Sequence, residues 1–253
     1  MRLVVTSTAG RAVGYAARCV QSVARQLTGY DRNGEGHKLA HWFSSSDNAT
    51  HLDAENASWE RFRGTLAAGS DSPLERLVPM WLSLAPDDVV VWLDGDDELA
   101  HDGVIERVAA FHELQDVWMT YGSFVRDDGI LDYVWLPVYG RRYELPPRSS
   151  PFRATHLRTF RAGLFHALHE QSPGHLRDQR GEYFKAAPDV AVMVALLELA
   201  GERYSVATDV LCRYNYRHSA RSPGDIGTQR RDVDQISRLP ALDPLAAQPW
   251  FPA

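Results

Sequence analysis

"VVVWLDGDDEL", residues 89–99, drives five apolar residues into a stretch where four of the next five are acidic. The apolar run is β-branched and greasy on both faces, which suits a strand in the middle of a parallel sheet rather than one with a wetted side. If residues 89–93 form that strand, Asp94, Gly95, Asp96 and Asp97 stand at its carboxyl end, where open α/β sheets gather ligands. Asp94 and Asp96, two apart, turn to one side as the strand frays, and Gly95 lets the backbone approach a ligand closely. Carboxylates that converge in a cleft repel each other unless a cation lies between them. A hard divalent ion, Mn2+ or Mg2+, meets that need and keeps coordination positions open for phosphate oxygens. The competing reading is a solvated acidic turn that caps the following helix.

Outward from this strand the pattern alternates. A first strand is expected over residues 2–6, followed by a polar turn holding Thr6, Ser7, Thr8 and Arg11. Ala16, Cys19, Val20, Val23 and Leu27 then repeat with the helical period, and Gly29 is a stop signal. A second strand is expected over 39–43, helices over 59–66 and 74–84, and a helix carrying Val104, Val108 and Phe111. Further strands are expected over 117–125, 131–136 and 203–214. Residues 141–151 read as a loop and residues 155–168 as a helix; the helix expected over 189–200 is closed by Gly201. A short helix at 226–236 precedes a proline-rich tail. Strand, helix, strand, helix is an α/β signature. It implies one domain over residues 1–220 with a mostly parallel, Rossmann-like central sheet flanked by helices, and residues 221–253 as a C-terminal helix and tail packed on it.

Composition bounds the function. The chain has 253 residues, 44% of them hydrophobic, enough for a substantial core. Its longest apolar run, residues 190–197, falls far short of the roughly 20 residues of a membrane crossing, and only Leu3, Val4 and Val5 resemble a signal core. The expected location is cytoplasmic. Cys19 and Cys212 show neither metal-type spacing nor a disulfide framework, so both are expected to be reduced, buried thiols. There is no EF-hand spacing, no Walker-type loop and no Gly-x-Gly-x-x-Gly. The net charge is −6, but segment 141–180 holds eight arginines, Arg141 and Arg180 among them, against Glu144, Glu170 and Asp178.

Six blocks taken together resemble a known family. They are "RCVQSVARQ" (18–26), "DDVVVWLDGDDELAHDGVIERV" (87–108), "VWMTYGSF" (117–124), "HLRTFRAGLF" (156–165), "DVAVMVALLELAGER" (189–203) and "VLCRYNYRH" (210–218). In that order they resemble glycosyltransferases of the family-2 type, with the GT-A fold and an Asp-x-Asp motif. The resemblance implies a nucleoside-diphosphate sugar as donor, a UDP-sugar in the first instance, with its diphosphate held by the divalent ion. It implies that Asp96 ligates the metal, that Asp94 reaches the ribose or the metal through water, and that Asp97 lies near the donor sugar. Thr6, Ser7, Thr8 and Arg11 match the start of the nucleotide pocket. Asp189 matches the carboxylate that deprotonates the acceptor, and His218 a group set against the metal or diphosphate. One departure concerns the nucleobase: Phe43, Ser44, Ser45 and Ser46 stand where the family carries an aspartate pair, and Asp47 arrives late.

Several residues carry two readings. Asp189 after Pro188 is either the general base or a helix-capping acid, and His218 either a metal ligand or a surface loop histidine. Arg158 either pairs with diphosphate through its planar fork or anchors its helix to an acidic neighbour. Trp118, Tyr121 and Trp135 either stack an acceptor ring or pack the core. The arginines of segment 141–180 either hold a polyanion, making DNA with a hydroxylated base one expected acceptor, or balance the carboxylates nearby. A saccharide, lipid-linked or protein hydroxyl is the other acceptor class. Outside hexosyl or pentosyl transfer, the rivals are a sugar nucleotidyltransferase and a non-catalytic nucleotide-sugar-binding module.

Overall fold

The computed structural model describes residues 2–9, 13–30, 38–45, 72–114, 117–128, 146–216 and 223–246. Its strands are β1 (Arg2–Ala9), β2 (Lys38–Ser45), β3 (Val89–Trp92), β4 (Glu98–Leu99), β5 (Met119–Arg126), β6 (Arg158–Arg161) and β7 (Tyr204–Tyr214). Its helices are α1 (Val13–Tyr30), α2 (Leu74–Leu82), α3 (Val104–Leu114), α4 (Ala162–Gln171), α5 (Pro188–Ala200) and α6 (Pro223–Ser237). The strands form one sheet in the order β2-β1-β3-β6-β5-β7-β4. Parallel pairing joins β1 to β2, β1 to β3 and β5 to β7, while β6 runs antiparallel to both β3 and β5, and β4 antiparallel to β7. Five of the seven strands therefore point the same way, and their carboxyl ends share one edge.

The two-sided greasiness of β3 is used as expected. Val90 and Trp92 enter a core with Leu77 and Trp81 of α2, Phe165 of α4 and Leu196 of α5. Val89 and Val91 enter the other, with Val23 of α1 and Val108 of α3. Helices thus cover both faces, as an α/β sheet with buried parallel strands requires. Trp81 is a hub of the first core: its ring meets Trp92, Phe160 and Phe165 edge-on at centroid distances of 5.1, 5.2 and 4.8 Å. Its indole N–H is satisfied by Thr6 Oγ1 at 3.0 Å. Trp118 and Tyr121 are also core residues, each 1% exposed.

Two expectations are corrected. The first strand does not stop at Thr6. It continues to Ala9 because β1 pairs with β2 over its whole length, so Thr6, Ser7 and Thr8 are strand residues rather than a turn. The helix expected over 155–168 begins only at Ala162; residues 158–161 are β6, inserted between β3 and β5. A buried network fixes that insertion. His112 Nδ1 faces the Val117 carbonyl at 3.1 Å and must carry the proton, which leaves Nε2 to accept from Thr159 Oγ1 at 2.8 Å. Thr159 Oγ1 in turn accepts from Thr120 at 2.6 Å.

Helix α5 is apolar nearly all round and buried from Val190 to Ala200, as a helix enclosed by other elements must be. Gly201, at φ +60°, closes it. The following strand and the tail are tied to it: Leu245 N–H donates to Leu199 O at 2.9 Å and Arg203 Nη1 to Leu245 O at 3.2 Å. The helix expected over 59–66 and the strand over 131–136 lie outside the described residues, as do Arg11, Asp47, Trp135, Arg141, Arg142 and His218.

Candidate active site

The acidic turn sits where the sheet's carboxyl edge predicts. Leu93 N–H donates to Thr6 O at 3.2 Å and Gly95 N–H to Thr8 O at 3.1 Å, which extends the β1–β3 ladder past the end of the strand. Asp97 N–H then closes the turn on Asp94 O at 3.0 Å. Asp94 is left with a side chain 34% exposed, and Asp96 is half-buried.

Because β6 is antiparallel, its first residue, Arg158, pairs with Trp92, the last residue of β3. That register delivers a guanidinium to the same edge as the carboxylates. Its side chain is 3% exposed and lies over the Trp92 ring, 4.7 Å from the centroid. Arg158 Nη1 reaches Asp94 Oδ1 at 3.3 Å, and Nη2 reaches Asp189 Oδ2 at 3.4 Å. Asp189 is 26% exposed and stands in the first turn of α5, a position that suits an acid. Burial works against the Arg158 charge, but Asp94 and Asp189 outweigh it and hold the guanidinium above its ordinary pKa. One arginine therefore links two carboxylates from separate elements. Its pairing with acidic neighbours is thus seen, from a strand rather than from the helix expected for it.

The other expected residues separate. Thr6 and Ser7 have no exposed surface; Thr6 serves Trp81, and Ser7 Oγ meets His41 Nε2 at 3.0 Å. Of these three residues only Thr8, half-buried, keeps a side chain near solvent. Asp97 is fully buried and turns inward, with Oδ1 accepting from Asn215 N–H at 2.9 Å. Burial first, then Asp94 and Asp96, push its carboxyl well above the usual range. Asp94 and Asp96 together offer the part-exposed oxygen donors that a hard divalent ion takes.

Sequence reasoning passed over His156, although it opens the block that contains Arg158. Its ring stacks on Tyr214 at 5.1 Å and meets Phe124 edge-on at 5.5 Å. Its Nδ1 lies 3.4 Å from Asp97 Oδ2 and 3.7 Å from Asp94 Oδ2. Asn215, at the end of β7, was missed as well, because its backbone rather than its side chain does the work.

Several arginines of segment 141–180 have partners among the described residues. Arg148 forms a buried two-pronged pair with Glu198 at 2.9 and 2.6 Å. Arg161 donates to the carbonyls of Asp87 and His112, and Arg177 to that of Gly181 while lying over Tyr183.

No protein-family model and no curated protein matches the chain. Solved structures do. S. aureus TarS 1–349 in complex with UDP-GlcNAc matches with a TM-score of 0.55 and 14% identity, over 92% of this chain and 65% of that one. The mannosyltransferase PcManGT from Pyrobaculum calidifontis, in complex with GDP-Man and Mn2+, matches with 0.57 and 13%, over 93% and 62%. The 4-diphosphocytidyl-2C-methyl-D-erythritol synthase from Anaerococcus prevotii matches with 0.50 and 12%, over 91% and 97%. The chain thus spans less than two thirds of the TarS and PcManGT chains it resembles. At these identities the likeness concerns architecture, and this chain has the single-domain α/β fold of the GT-A type.

Proposed function

We propose that the chain is an inverting glycosyltransferase that moves a sugar from a nucleoside diphosphate to an acceptor hydroxyl. The observation that carries this reading is the buried Arg158 held between Asp94 and Asp189. It puts a donor-side carboxylate, a fixed cation and a second carboxylate at one sheet edge. The neighbours with UDP-GlcNAc and with GDP-Man and Mn2+ support a nucleotide-sugar donor and a divalent ion. Asp94 and Asp96 would hold that ion, with His218 as a further ligand. When bound, it supplies positive charge to the leaving diphosphate.

The chain's own residues do the rest. Arg158 orients Asp94 and Asp189 and adds charge beside the phosphates, where negative charge grows as the anomeric C–O bond breaks. Asp189 accepts the proton of the acceptor hydroxyl as its oxygen bonds to the anomeric carbon, while the diphosphate departs with the bonding electrons. Attack and departure on opposite faces invert the centre. Thr8 and Arg11 remain the residues proposed for the nucleotide side.

A sugar nucleotidyltransferase is the rival enzyme reading. Such enzymes place a glycine-rich run with a downstream lysine after the first strand, and residues 6–11 hold neither feature. The acceptor is proposed to be a saccharide or protein hydroxyl rather than DNA. Arg148 and Arg158 pair with carboxylates inside the protein, which takes two of the eight charges out of the local excess and weakens it as a sign of polyanion binding. A mass-spectrometric screen of common nucleotide sugars with Mn2+, crossed with saccharide, peptide and hydroxylated-DNA acceptors, tests the reading. It predicts consumption of one donor, abolished in Asp189→Asn. Donor binding without turnover under every acceptor would favour the non-catalytic module.

A further inference from the structure

Behind the acidic turn, three side chains from distant parts of the chain converge. Asp97 follows β3, His156 precedes β6 and Cys212 lies on β7. A carboxylate oxygen of Asp97, the Cys212 Sγ and a ring nitrogen of His156 lie within 4.8 Å of one another, and all three residues are buried.

Asp97 is the informative member. Its Oδ1 is satisfied by the Asn215 N–H, but Oδ2 has no exposed surface and accepts no hydrogen bond. A buried carboxylate oxygen left so is costly unless something else meets it. It faces His156 Nδ1 at 3.4 Å. Two light donors on a tetrahedral ion, each about 2.0–2.1 Å from it, stand roughly 3.3–3.4 Å apart. The imidazole is held in this orientation by Tyr214 on its face and Phe124 at its edge.

The donor set also selects an ion. One thiolate, one imidazole and one carboxylate make a borderline-soft set that favours Zn2+ and disfavours Mn2+ or Mg2+. Two anionic ligands and a neutral imidazole around a doubly charged ion sum to zero, so the cluster can be buried without a net charge. We propose that Asp97, His156 and Cys212 bind a zinc-class ion, which pins the acidic turn to β7 and to the start of β6. Binding displaces the thiol proton of Cys212 and whatever proton Asp97 holds. This site is distinct from the oxygen pair of Asp94 and Asp96, though Asp94 Oδ2 lies only 3.7 Å from His156 Nδ1. Its existence does not depend on glycosyl transfer.

Cobalt titration of the chelator-treated chain, residues 1–253, tests the proposal. One equivalent of Co2+ is expected to produce a thiolate-to-cobalt absorption band that Zn2+ abolishes and a tenfold excess of Mn2+ leaves in place. The band is expected to vanish in Cys212→Ala and to persist in Cys19→Ala and in Asp96→Asn. No thiolate band, or one that survives Cys212→Ala, overturns the site. Should Cys212→Ala fail to fold, X-ray absorption on the zinc-loaded wild type decides. A single sulfur at about 2.3 Å is expected, and a shell with no sulfur or with two contradicts it.

Discussion

Arg158 Nη2 stands 3.4 Å from Asp189 Oδ2, which couples the strand that abuts the acidic turn to the head of the buried helix α5. The same guanidinium reaches Asp94 at 3.3 Å. These separations exceed the roughly 2.7–2.9 Å of tight charge-assisted bonds, so the arginine spans the two carboxylates more than it clamps either. Removing it takes a shared, buried cation from two part-exposed carboxylates. Arg158→Ala is therefore expected to cost about 3 kcal/mol in urea denaturation. Arg158→Lys should recover only part of this, because a point charge cannot span both partners. Equal stability of all three proteins would refute the linking role.

Asp189 is expected to matter to rate more than to folding. Asp189→Asn keeps the size of the side chain and can still meet Arg158 through its amide oxygen, but it cannot take a proton. The variant should lose about 100- to 10,000-fold in kcat with nearly unchanged donor affinity. A matching rise in donor Kd with unaltered kcat would instead make Asp189 a binding residue.

The Arg148–Glu198 pair holds the periphery. Glu198 Oε2 also accepts from Leu242 N–H, and Arg148 Nη1 donates to Ile236 O, so the pair joins α5, α6 and the tail. Both side chains are almost fully buried. Arg148→Ala should cost about 3–5 kcal/mol by stranding a buried carboxylate. An Arg148→Met, Glu198→Leu double variant should recover part of it. Equilibrium denaturation of the three proteins gives the comparison.

Acid should unfold the protein partly through two histidines. Burial lowers His41 to about 3, and burial with the nearby Arg161 lowers His112 to about 3. The unfolded chain protonates each near the ordinary value of about 6.5, so below that pH it takes up protons the folded chain refuses. Their contribution is whole above about pH 6.5 and shrinks as pH falls toward 3, by about 1.4 kcal/mol per unit for each histidine. His112→Gln should flatten the slope of stability against pH between about 6 and 4 by close to one proton. An unchanged slope would mean that His112 is already charged when folded.

The strand before the acidic turn was legible because its residues satisfy both faces of a sheet at once, and no local alternative competes with that. Strand β6 was not. It spans four residues, Arg-Thr-Phe-Arg, ahead of a true helix, and only its pairing between β3 and β5 makes it extended. Reading it as helix hid the reach of Arg158, which depends on strand register. Thr6 and Ser7 looked like pocket residues because they are polar, yet their hydroxyls satisfy a buried indole and a buried imidazole. The meeting of Asp97, His156 and Cys212 leaves no trace in local spacing, since sheet pairing over more than a hundred residues brings it about.

Calorimetric titration of UDP and GDP into the protein, with and without Mn2+, tests the central claim most directly. Tight binding of one nucleotide only with Mn2+, lost in Asp96→Asn and weakened in Asp94→Asn, is the predicted result. Binding that ignores both the ion and the two aspartates, or no binding of any nucleoside diphosphate, would contradict a donor site at the acidic turn.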